Sequence, residues 1–123
     1  MKLQYFDAQM LWKVSANEIY ESKFWAQRSK IVKQYRQAYV PQVKKILKPV
    51  VNYPVKISYY FLFKGTALDS TNCFYMAKLL EDCMVKAGIL RDDAPKYVKS
   101  SSVEPRHGST DWIQVLIEEP DQN

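Results

Sequence analysis

The sequence predicts an α+β domain in which one mixed β-sheet is covered by two helices, in the order β-α-β-α-β-β. Three observations carry that prediction. Residues 55–64 alternate apolar and polar side chains with a period of two. Two longer stretches, beginning near residues 22 and 72, repeat their apolar residues at helical spacing. Two further alternating runs close the chain. With 123 residues, 47% hydrophobic and 25% charged, the chain has the profile of one globular domain, residues 1–123, and leaves no room for a second.

Each element follows from local pattern. Leu3 to Val14 places Met10, Trp12 and Val14 on alternate positions and reads as a strand, followed by a loop at Ser15, Ala16 and Asn17. Ser22 is the expected N-cap of the first helix, in which Phe24, Ile31, Tyr35 and Ala38 recur near helical spacing. That helix is expected to reach Tyr39 and to be interrupted by Pro41, which removes a donor and biases Val40 away from helix; Pro41 could open a second short helix to Lys48. The clearest strand sets Val55, Ile57, Tyr59, Phe61 and Phe63 against Lys56, Ser58, Tyr60 and Lys64, and Gly65 ends it. A second helix is expected from Asn72 to Ala87, closed by Gly88 in a left-handed conformation. Strands are expected at Tyr97 to Val103 and Trp112 to Glu118.

Charge is uneven. Between Glu21 and Asp69 there is no acidic residue, yet that stretch holds Lys23, Arg28, Lys30, Lys33, Arg36, Lys44, Lys45, Lys48, Lys56 and Lys64, interleaved with aromatic residues; the net charge is +5. Such a segment is the footprint of a polyanion partner, with Lys23, Arg28, Lys30, Lys33, Arg36, Lys44 and Lys45 as the expected DNA contacts. No run approaches the roughly 18 apolar residues of a membrane span and no secretory pattern opens the chain, so a cytoplasmic protein without a membrane partner is expected. Cys73 and Cys83 fall on one helix, separated by about 15 Å, too far for a disulfide.

Acids collect around the second helix: Asp69 before it, Asp82 on it four residues after Lys78, and Asp92 and Asp93 behind it. Adjacent carboxylates repel unless a cation or hydrogen bonds compensate, which points to a metal site; a turn is the alternative reading for Asp92 and Asp93. The only histidine, His107, lies in a polar Arg-His-Gly-Ser segment and is not expected to act as a base. Walker, zinc-spacing and nucleophile-elbow patterns are absent.

The run from Lys78 through Asp82 to Lys86-Ala87-Gly88 and Asp92-Asp93 resembles the core of the RusA-type Holliday junction resolvases, which carry a lysine, an aspartate four later, then Lys-Ala-Gly and a paired Asp-Asp. Ser15-Ala16-Asn17-Glu18-Ile19-Tyr20 is similar to that family's N-terminal Pro-Ser-Asn-Asn segment, and Pro54-Val55-Lys56-Ile57 falls where the family has its central strand. The family's Asp-x-Asp-Asn motif is altered here to Asp69-Ser70-Thr71-Asn72. In one register Asp69 takes the first carboxylate and Thr71 replaces the second; in the other, Asn72 and Phe74 occupy the acidic places.

The resemblance implies Mg²⁺-dependent hydrolysis of phosphodiesters in branched DNA, with Mn²⁺ as a possible substitute, by a homodimer of bacterial, phage or prophage origin. It implies Asp69, Asn72, Asp82, Asp92 and Asp93 as metal ligands, and Asp69, Lys78 and Asp93 as the catalytic group. Trp25, Tyr60 and Trp112 could serve the dimer interface or the core. Two other classes remain open: a junction-binding protein without catalysis, and a basic RNA- or DNA-binding module, which lacks RNP1-like or KH patterns here.

Overall fold

A computed structural model describes residues 1–15 and 25–121 of the chain, with backbone alone at residues 25 and 26. Its elements are β1 (Lys2–Gln9), α1 (Trp25–Ile46), β2 (Val55–Phe63), α2 (Ser70–Lys86), β3 (Val98–His107) and β4 (Trp112–Glu119), in the order the sequence predicts. The four-stranded sheet runs β1-β4-β2-β3, with β4 antiparallel to β1 and β2, and β2 parallel to β3. β2, α2 and β3 therefore form a β-α-β unit, while α1 packs on α2.

Alternation decides which face of the sheet is covered. Val55, Ile57, Tyr59, Phe61 and Phe63 of β2 are buried, and Ile113, Val115 and Ile117 of β4 join them in the core. Across the ladder, Ile57 meets Ile117 and Tyr59 meets Val115, so the buried side chains form continuous rows. Each fully buried large side chain contributes about 1.5–3 kcal/mol.

The break expected at Pro41 does not occur: Pro41 lies inside α1, which continues to Ile46. The inward face explains why. Tyr35, Tyr39, Val43 and Leu47 recur every fourth residue and are all buried, whereas Pro41 is exposed. The carbonyl it deprives of a donor belongs to exposed Gln37, so packing outweighs the lost hydrogen bond. The expected N-cap Ser22 lies outside the described residues.

The first strand is shorter than its alternation suggested, ending at Gln9 rather than Val14. Beyond Gln9 the backbone is held by tyrosine hydroxyls of α1. Tyr39 Oη donates to Gln9 O (2.6 Å) and accepts from the Leu11 N–H (3.0 Å), and Tyr35 Oη donates to Trp12 O (2.7 Å). Met10 still donates its N–H to Asp111 O at 3.1 Å, but both Met10 and Val14 belong to the buried core, so their alternation records packing more than strand pairing. At the other end of the sheet, β3 reaches His107 instead of Val103; it is an edge strand and accommodates Pro105.

Both ends of α2 are capped by local chemistry. Asp69 accepts the Asn72 N–H through its side chain at 2.9 Å. At the C-terminus Gly88 adopts φ +79°, and the N–H groups of Gly88 and Ile89 return to Val85 O and Met84 O at 3.0 and 2.9 Å, a Schellman motif. Cys73 and Cys83 are both buried and free. Among the described residues no helix is long and apolar enough to cross a membrane.

Candidate functional site

The first expected site surface is the outer face of α1. The helix has no acidic residue, and Lys30, Lys33, Lys44 and Lys45 are exposed along it. At 100° per residue, Lys30, Lys33 and Lys44 fall within about 60° of one another, opposite the buried tyrosines. An open groove of about 700 Å³ runs beside them, lined by Arg28, Ser29, Val32, Lys33, Arg36 and Gln37. Lys23 lies outside the described residues. Arg36 is the exception within this set: its Nε and Nη2 donate to the two carboxylate oxygens of Asp82 at 2.8 and 3.2 Å. A bidentate pair of this kind fixes the side chain and reduces its availability to a phosphate.

The carboxylates expected to hold a metal fall in three places. Asp69 caps the N-terminus of α2, and Asn72 lies in that first turn. Asp82 faces α1 and pairs with Arg36. Asp92 and Asp93 occupy the turn before β3, where Asp92 Oδ1 accepts the Asp93 N–H at 2.7 Å. Among the described residues no three His, Cys, Asp or Glu side chains gather into one group. Asp69 and position 81 are twelve residues apart on the helix, about 18 Å along its axis, so the N-terminal cap stands well away from the acids at the other end.

What the tertiary structure does set against Glu81 is Ser101, by a hydrogen bond, with Tyr59 packed nearby and the charges of Lys78 and Asp93 within electrostatic reach. Lys78 and Glu81 are three apart on α2, Tyr59 is on β2, and Ser101 of β3 donates its hydroxyl to Glu81 Oε1 at 3.2 Å. Burial pushes the Glu81 carboxyl above its ordinary range and the Asp93 charge adds to the push, while the Ser101 and Tyr59 hydroxyls and the Lys78 ammonium oppose it. The Tyr59 hydroxyl is completely buried against Glu81, falls outside hydrogen-bond geometry, and is driven well above its ordinary pKa by burial and by that carboxylate.

Mg²⁺ takes one or two carboxylates and keeps several waters, so Glu81 and Asp93 are the acids that could hold one here, while Asp69, Asn72 and Asp82 stand elsewhere. A cation there would offset the repulsion between the two acids. Glu81 escaped the sequence reading, which followed aspartates; its one legible signal was the three-residue spacing from Lys78. His107 is exposed at the end of β3. Comparison with models of known families and with curated proteins brought no match.

Proposed function

We propose that this chain is a Mg²⁺-dependent endodeoxyribonuclease of the RusA type that resolves four-way DNA junctions as a C2 homodimer. The observation that carries the reading is that Glu81 lies within electrostatic reach of Lys78 and Asp93 on the β2-α2-β3 unit, in a domain whose other helix has a basic outer face free of acids. The resemblance from Lys78 to Asp93 supplies the reaction class, and approximate two-fold symmetry of the substrate supplies the dimer.

In this reading α1 holds the sugar-phosphate backbone through Lys30, Lys33 and Lys44 and thereby sets the register of the duplex without reading its sequence. Glu81 and Asp93 would hold the cation, with Ser101 orienting the Glu81 carboxylate by its hydroxyl. Lys78 lies beside them as a compact ammonium suited to charge developing on a phosphate. A Mg²⁺ held by these residues would supply Lewis-acid chemistry toward the phosphate. Water adds to phosphorus, the 3′ oxygen leaves and takes up a proton, and the products are a 5′-phosphate and a 3′-hydroxyl.

A second reading, a junction-binding protein without catalysis, is favoured by the commitment of Asp69 to the helix cap and of Asp82 to Arg36. One experiment separates the two. On a synthetic four-way junction with Mg²⁺ or Mn²⁺, the wild type cleaves, whereas Asp93→Asn and Glu81→Gln lose about 100-fold or more in rate and keep their junction affinity. Asp69→Asn remains active, because asparagine caps a helix as well as aspartate does. Tight junction binding by the wild type with no cleavage across several junction sequences establishes the silent binder instead.

A further inference from the structure

A second cavity, of about 680 Å³, opens at the start of β2 and β3, on the side of the molecule where the Asp92-Asp93 turn lies. Its walls include Tyr53, Tyr97, Arg91 and Lys96. The two rings stand edge to face, centroids 5.2 Å apart at 82°. The Arg91 guanidinium lies 5.9 Å from the Tyr53 ring centre and 6.0 Å from that of Tyr97, and Lys96 Nζ lies 5.6 Å from Tyr97.

The platform is firmly mounted. Tyr53 Oη accepts the Arg91 N–H at 3.0 Å, the Tyr97 N–H donates to Ala94 O at 2.8 Å, and Tyr97 O accepts the Val55 N–H at 2.9 Å. Among the described residues that line the cavity Asp121 is the one acid, and it is paired with the amino group of Met1. Arg91 and Lys96 bracket the Asp92-Asp93 pair in sequence, so the cavity and the proposed metal-binding acids share one turn.

We infer that this cavity receives one unpaired nucleotide of branched DNA, its base against the Tyr53 and Tyr97 rings and its phosphate between Arg91 and Lys96. Aromatic faces with flanking cations bind a base irrespective of its identity, because every base has a π-face and every nucleotide a phosphate. The inference rests on the junction-nuclease reading and extends it by naming where the strand nearest Asp93 is held. Stacking is interrupted at a crossover, so a nucleotide is unpaired there at lower cost than inside an intact duplex, and the cavity favours branched over linear DNA.

Binding is measured without divalent ions on two labelled four-way junctions, one carrying an extra unpaired adenine at the crossover and one carrying an abasic residue there. The wild type prefers the adenine junction by about fivefold or more, the range of a single base stack. Tyr97→Leu, which keeps apolar bulk and removes the ring, abolishes the preference; Tyr97→Phe keeps it. Arg91→Gln combined with Lys96→Gln weakens binding to both junctions while the melting temperature stays native, and it serves as the readout should Tyr97→Leu fail to fold. Equal binding of the two junctions by the wild type, a preference that survives in folded Tyr97→Leu, or unchanged affinity in the double variant overturns the assignment. Absence of binding to either junction overturns the DNA reading itself.

Discussion

The two helices use their polar residues in opposite ways. α1 turns Tyr35, Tyr39 and Val43 inward and leaves its lysines in water, so its outer charge stays available. α2 lies between the sheet and α1 and buries Cys73, Met76, Ala77, Leu79, Leu80, Cys83 and Met84. Its acids are each received by a neighbour: Asp82 by Arg36, Glu81 by Ser101, and the capping Asp69 by the first turn. A helix with one solvent face advertises its charge in the sequence. A helix packed on two sides uses its charge locally, and the roles of its acids depend on what is packed against each one.

The largest expected effect breaks the α1 half of this comparison. Lys30, Lys33 and Lys44 changed together to Ala flatten the logarithmic salt dependence of junction binding by about 0.9 for each phosphate that is no longer neutralised. Arg36 is left out of that set because Asp82 already engages it. Titration of binding against salt is the measurement, and an unchanged slope removes α1 from the interface.

Next in size is the inward face of α1. Tyr39→Phe deletes the hydroxyl that serves both Gln9 O and the Leu11 N–H, leaving two part-buried backbone groups without it, and costs about 2 kcal/mol in denaturant unfolding. Junction affinity stays within about twofold, because the outer lysines are untouched. A loss of affinity without a loss of stability reverses the assignment of the two faces.

The smallest effect tests the contact between the helices. Asp82→Asn weakens the half-exposed pair with Arg36, changes stability by less than about 1 kcal/mol, and raises junction affinity a few-fold by releasing a guanidinium beside the basic groove. Asp82→Asn leaves cleavage intact. A loss of cleavage returns Asp82 to the metal site that the family resemblance assigned to it.

The second half of the candidate site was only partly legible. Lys78 and Asp93 were named from a motif, and the charges of both act on the Glu81 carboxyl. Asp69 and Asp82 were named from the same motif, and the structure puts them in a cap and an ion pair. Sequence spacing along one helix says which residues share a face but not which strand lies under that face. Ser101 and Tyr59 reach Glu81 from strands that are twenty or more residues away in sequence.

By itself the sequence determined the element order, the buried rows of β2 and β4, the left-handed glycine at residue 88 and the basic exterior of α1. Each of these follows from a period, a backbone preference or a charge count within a few residues. Only the tertiary structure decided that Pro41 stays inside a helix, that Leu11 and Trp12 are tied to tyrosine hydroxyls, and that Glu81 feels the charge of Asp93. Those outcomes balance local preference against packing between distant segments, and the packing supplies the larger energy.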